Sequence, residues 1–214
     1  SGMNVGDLEV EYINNSISAT SDIVYGMELC GTAENVQSNI ITVIGNKTTG
    51  IAAKSEDINI FNNEINALGE NLGNSTTVEI FEPMTAAINL INSIADIGFN
   101  TIVSSSRGIL AENGFVTIRF NEINVVDNGL DDSYGIFAEG TDIGIFENNI
   151  TYVGNTAGET INNAVYLKDC TEPLIQENEF DITLPSCYVD WKEIPPGSGN
   201  WVGVVLSEGI VVDS

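Results

Sequence analysis

Gly135-Ile-Phe-Ala-Glu-Gly-Thr-Asp-Ile-Gly-Ile-Phe-Glu-Asn-Asn-Ile150 is the stretch that decides the fold. It contains two short patterns. The first is a small residue followed by apolar, any and apolar residues, Gly135-Ile-Phe-Ala138. The second is an Asn-x-Ile triplet, Asn148-Asn-Ile150, with an apolar residue, Ile145, three places before it. Apolar and polar residues alternate in short runs broken by Gly, Thr and Asn. That is strand chemistry, since a helix would space its apolar residues at three and four.

Working outward, both patterns recur. The triplet is seen at Asn15-Ser-Ile17, Asn39-Ile-Ile41, Asn63-Glu-Ile65, Asn100-Thr-Ile102, Asn121-Glu-Ile123 and Asn178-Glu-Phe180 as well. Tyr12, Val36, Ile60, Ile97, Ile118 and Ile175 precede these by three. The small-residue motif recurs at Gly26-Met-Glu-Leu29, Gly50-Ile-Ala-Ala53, Ala87-Ile-Asn-Leu90, Gly108-Ile-Leu-Ala111, Ala164-Val-Tyr-Leu167 and Gly203-Val-Val-Leu206. From small residue to next Asn the step is 13 in five copies (26 to 39, 50 to 63, 87 to 100, 108 to 121, 135 to 148) and 14 in one (164 to 178). The return step varies, running 11, 11, 24, 8, 14, 16 and 25. One arc of each repeat is constant, and every insertion falls in one connection: 69–86, 127–134, 154–163 and 184–202.

Strands this short cannot bury a face alone, but stacked copies can, with like positions about 4.8 Å apart. Each repeat predicts three strands. The first carries the small-residue motif, the second ends three residues before the Asn, and the third starts beyond it. The asparagines, Asn15, Asn39, Asn63, Asn100, Asn121, Asn148 and Asn178, are read as a structural ladder at the second corner. Asn tolerates a left-handed backbone there, and its amide can bond the amide one storey away. The expectation is an all-β, single-domain coil over residues 1–214, of about seven to eight rungs. Ser1-Gly2-Met3 reads as a cloning remnant in front of a domain cut from a larger surface protein.

Composition bounds the partners. Thirty-one acidic residues against six basic ones give a formal charge of −25, and there is no histidine. Phosphate recognition needs clustered Lys and Arg, so nucleic acid and anionic lipid are poor partners. No apolar run reaches the roughly 18 residues of a spanning helix. Three cysteines lack metal-ligand spacing. Stacking puts Cys30 and Cys170 five storeys, about 24 Å, apart, beyond the roughly 7 Å a disulfide tolerates. Cys187 lies in an insert within reach of Cys170, but free thiols are the expectation. Asn-x-Ser/Thr sequons at Asn14, Asn46, Asn74 and Asn149 carry little weight in an Asn-rich chain.

The repeat resembles the right-handed parallel β-helix superfamily, which includes pectate lyases, polygalacturonases, phage tailspikes and adhesin-like surface proteins of methanogenic archaea. The resemblance spans roughly Val10 to Val212 and is specific for fold but not for activity, because this fold hosts enzymes and binders alike. It implies a single-stranded right-handed coil whose asparagine ladder sits between second and third strands. It also implies glycan binding on the first-strand face, walled by the long connections. Of the polygalacturonase motifs only Asp131-Asp132 is matched. Histidine and Arg-x-Lys are missing, and a chain with two arginines, Arg107 and Arg119, and a charge of −25 repels the polyanion that a pectate lyase binds.

Two outward columns on the first strand hold the candidate site. One reads Glu28, Ala52, Asn89, Leu110, Phe137, Tyr166, Val205, and its middle is apolar where it should meet water. An insert covering it, a sugar-stacking platform and an oligomer interface compete to explain this. The platform would use Phe137, Tyr166, Tyr134, Trp191 and Trp201. The other column reads Cys30, Lys54, Ile91, Glu112, Glu139, Lys168, Ser207. Stacked Glu112 and Glu139, near Asp131 and Asp132, admit three readings: a solvated charge ladder with Lys168, an acid/base pair about 5 Å apart, or a calcium-type oxygen cluster. The expected function is a non-enzymatic, extracellular, adhesin-like module, a monomer rather than a trimer, that binds glycan or a surface protein of a host or neighbouring cell. It would need no cofactor, calcium apart. The alternatives are a polysaccharide hydrolase or lyase and a virion tailspike fragment.

Overall fold

The computed structural model describes residues 10–69, 85–127, 133–154, 162–183 and 210–213. Among them there is no helix, and the strands form three parallel sheets of seven. In chain order the strands visit the three sheets in turn, so each strand's sheet neighbours lie three strands away in sequence. That connectivity is compatible with a parallel β-helix.

The first-strand sheet comprises Ile23–Gly31, Lys47–Ser55, Ala86–Ile91, Arg107–Glu112, Ser133–Glu139, Asn162–Lys168 and Ile210–Asp213. The long connections of the sequence all run from the third-strand sheet into this one. Its last member corrects the sequence reading. Tyr166 pairs with Val211 and Lys168 with Asp213, so Val211 and Asp213 take the places assigned to Val205 and Ser207. Gly209-Ile-Val-Val212 fits the small-residue pattern as well as Gly203-Val-Val-Leu206 does, and after a connection of variable length spacing cannot choose between them.

Three files of β-branched residues fill the interior. Ile41, Ile65, Ile102, Ile123 and Ile150 follow the asparagines, Val36, Ile60, Ile97, Ile118 and Ile145 precede them, and Ile51, Ile88, Ile109, Ile136 and Val165 come from the first strands. All are fully buried, and each buried side chain contributes about 1.5–3 kcal/mol. Each file is continuous through the strand registers. The one repeat with a 14-residue step absorbs its extra residue as a β-bulge: Asp142 pairs with Thr171 and Gly144 with Leu174. Pro173 lies within the bulge, where a missing N–H breaks no regular ladder.

At the second corner each Asn Nδ2 donates to the Oδ1 of the next Asn at 2.9–3.0 Å, unbroken from Asn15 to Asn178. Each of those Oδ1 atoms also accepts the backbone N–H of the preceding Asn. From Asn39 onward the amide further caps the carbonyl of the core residue one storey back, as Asn121 does with Ile97. The left-handed residue is the one before the ladder: Asn14, Ser38, Asn62, Phe99, Phe120, Glu147 and Glu177, at φ 50–57°. The amides are therefore selected for hydrogen bonding, and the backbone tolerance expected of them is needed one place earlier.

The first corner has its own, less regular polar file. Ser93, Thr141 and Cys170 each point a hydroxyl or thiol at a carbonyl of the preceding repeat, Ala53, Ala111 and Ala138 respectively. Asn92, Asn113, Gly140 and Asp169 supply the left-handed residue there. No spacing signal marked this file, because Ser, Thr and Cys share one geometric task without sharing one letter.

Among the described residues Tyr152 is the largest fully buried side chain, and it donates its hydroxyl to the Ser133 carbonyl at 3.2 Å. Burial pushes its phenol well above the usual range. A raised folded-state pKa means that the contribution is complete below the ordinary phenol value and is lost as pH rises beyond it. The melting temperature should therefore fall more steeply above about pH 10 in the native chain than in Tyr152→Phe. Parallel curves from pH 8 to 11.5 would remove Tyr152 as the cause.

Candidate functional site

The first-strand face presents three outward files. Strand register stacks Glu28, Ala52, Asn89, Leu110, Phe137 and Tyr166 in the central one. Glu112, Glu139 and Lys168 follow one another in the second. The third runs Tyr25, Thr49, Ala86, Arg107, Tyr134 and Asn163.

The structure brings the three aromatic candidates among the described residues together. The Phe137 and Tyr166 rings lie 5.6 Å apart and 4° from parallel. Tyr134 leans against both, at 5.1 and 5.6 Å. The Arg107 guanidinium lies 5.8 Å from the Tyr134 ring centre, a cation–π contact. Outward does not mean wet here: Leu110 is 3% and Tyr134 4% exposed, whereas Phe137 and Tyr166 are half-buried. Alternation along a strand predicts which side of the sheet a residue takes; it carries no information about what lies over that side. Trp191 and Trp201 fall outside the described residues.

Glu112 and Glu139 are cross-strand neighbours, and Glu139 forms an ion pair with Lys168. The hydrogen bond and charge of Glu139 hold the Lys168 ammonium above its usual range. Asp131 and Asp132 lie outside the described residues. Among those described, no three Asp, Glu or Cys side chains converge as a metal site would require. The thiols of Cys30 and Cys170 are free. Burial raises the Cys170 thiol, which lowers its reactivity, while Cys30 is exposed.

Arg119 is engaged elsewhere, in a two-pronged pair with Asp96 at 3.0 and 2.7 Å on the second-strand sheet. Beside it lies a feature that sequence reasoning missed. Phe99 and Phe120, both left-handed, stack at 4.9 Å, and Phe61 lies 6.5 Å from Phe99. Phe99 is 52% exposed. A left-handed non-glycine residue costs about 1–2 kcal/mol, and earlier repeats place Asn14, Ser38 and Asn62 there. Two phenylalanines replacing Asn or Ser directly before the ladder were the available signal.

Comparison with protein-family models, curated proteins and solved structures found no match to this chain. The site is therefore read from its own chemistry.

Proposed function

We propose that this chain is a glycan-binding, adhesin-like module of a cell surface, built as a right-handed parallel β-helix of seven to eight rungs. Right-handedness follows from the general hand of parallel β crossovers. The observation that carries the binding reading is the cluster of Tyr134, Phe137 and Tyr166 on an outward sheet face. Aromatic rings on a rigid sheet offer apolar area with little rotamer entropy to lose, and they suit the C–H faces of sugars. A net charge of −25 favours neutral or cationic partners over anionic ones.

A glycan-array screen, with and without calcium, tests the reading. Tyr166→Ala should weaken binding about tenfold, the usual scale for truncating an anchoring aromatic, with the melting temperature nearly unchanged. Binding that is indifferent to both Tyr166→Ala and Phe137→Ala would sink it. The register pairing of Glu112 with Glu139 favours one competing reading, a polysaccharide hydrolase. Glycan cleavage that is abolished by Glu112→Gln and Glu139→Gln would put that enzyme in place of the binder. Light scattering that shows a trimer would favour the tailspike.

A further inference from the structure

The outer face of the second-strand sheet takes no part in the glycan reading, yet it differs from the rest of the surface. Among the described residues, every connection at its two corners is two residues long, so the long inserts enter and leave elsewhere. In a chain of formal charge −25 it is close to neutral. Its two outward files, one from Asn35 to Leu174 and one from Gln37 to Gln176, hold Asp96 and Arg119 as their charged members, and these cancel. Two adjacent strands, Ile94–Gly98 and Phe115–Arg119, are also apolar where they meet water. Ile94 and Phe115 are exposed at the first corner, and Phe99 and Phe120 at the second. Both of the latter hold a left-handed backbone that Asn14 and Asn62 adopt at lower cost, so folding does not account for the choice of phenylalanine.

We infer that this face is where two copies of the chain meet as a two-fold dimer. A two-fold axis lying in the interface, parallel to the strands and midway between Ile94–Gly98 and Phe115–Arg119, exchanges those two strands between copies. It lays Phe99 on Phe120 of the second copy, Ile94 on Phe115 and Asp96 beside Arg119, so each contact occurs twice. The four charges alternate in sign. Arg119 has donors to spare, since its pair with Asp96 uses Nε and one terminal nitrogen. Near-neutrality selects a second copy as the occupant. Chains of −25 repel wherever acidic surfaces meet, whereas a cationic partner would gain more at the acidic corners than here. The face measures about 24 Å by 17 Å. That puts the contact at the lower end of specific interfaces, with a dissociation constant on the order of 10 μM. The same axis brings Asp57 towards Asp142 of the second copy at the rim, so salt screening should tighten the dimer. Tyr134, Phe137 and Tyr166 lie on another sheet and stay free, so the dimer and the glycan reading stand or fall separately.

Sedimentation velocity of the full chain, from about 1 to about 100 μM, should show the mass rising from one chain to two. Phe99→Asn and Phe120→Asn restore the residue type of earlier repeats. Each should weaken association about tenfold without lowering the melting temperature of the dilute chain, and Tyr166→Ala should leave association unchanged. Asp96→Lys leaves two positive charges on the face, and Arg119→Glu leaves two negative ones. Exposed ion pairs contribute little to folding, so both variants keep the fold. Each alone should stay monomeric, and an equimolar mixture of the two should dimerise. A native chain that stays monomeric to about 100 μM, or forms a trimer, overturns the proposal. If Phe99→Asn then alters the glycan-array signal, the face belongs to a sugar instead. A dimer indifferent to both phenylalanine variants places the interface elsewhere, and a mixture that stays monomeric overturns the two-fold exchange of charges.

Discussion

Asn121→Leu is expected to lower stability by about 3–5 kcal/mol, because leucine keeps the volume and removes every polar contact of the amide. Asn121 accepts from the N–H and the Nδ2 of Asn100 and donates to Asn148 Oδ1 and the carbonyls of Ile97 and Arg119. The Asn100 N–H and the Ile97 carbonyl lose these partners in a region closed to water. Each orphaned group costs about 1–3 kcal/mol, and the scale for a chain of this size is about 2–4 °C per kcal/mol. A fall in melting temperature of about 10 °C follows. Asn15→Leu is the internal control. It belongs to the same motif but sits at the exposed end of the file, where water replaces the lost contacts. Its cost should stay below about 1 kcal/mol. Equal losses at Asn15 and Asn121 would mean that the amides do not act as a buried ladder.

Tyr152→Ala should cost a similar amount, about 3–5 kcal/mol. Its register file runs Val43, Ala67, Ser104, Val125, Tyr152 and Ile182, so the phenol ring fills a volume that its neighbours leave open. Deleting it opens a cavity that β-branched neighbours in a rigid sheet cannot collapse into, and it orphans the Ser133 carbonyl. Tyr152→Phe keeps the ring and loses only the hydrogen bond, about 1 kcal/mol. The measurement is guanidinium unfolding of all three chains. If Tyr152→Phe were as damaging as Tyr152→Ala, the hydrogen bond rather than the packed ring would account for the loss.

Spacing made much of the architecture legible. The constant 13-residue arc identifies the positions that share a corner, and period-2 alternation identifies the inward files that become the isoleucine core. The single 14-residue arc became the bulge at Pro173. Local pattern was insufficient in three places. The last first-strand segment is Ile210–Asp213, since two candidate motifs followed one long connection. The left-handed residue precedes the ladder Asn, because a side-chain signal does not reveal which neighbouring backbone bends. Phe99 and Phe120, and after them Glu147 and Glu177, depart from the Asn and Ser of the first three repeats at that position, and a pattern defined by those copies does not register them.

The candidate site divides along the same line. The aromatic and acidic files could be written down from spacing, since register in a stacked coil is a consequence of the repeat. The ion pair of Glu139 with Lys168 and the burial of Tyr134 belong to rotamers and to neighbours distant in sequence. The sequence alone determined which residues stack on which wherever the arc has constant length, because a strand of fixed length between fixed corners has one register that buries its apolar face; the last first strand, beyond a long connection, is the exception. Only the tertiary structure decided which outward residues are wet and which are covered. Those outcomes depend on side-chain size in adjacent storeys and on what lies over the sheet, and neither is carried by the period of the repeat.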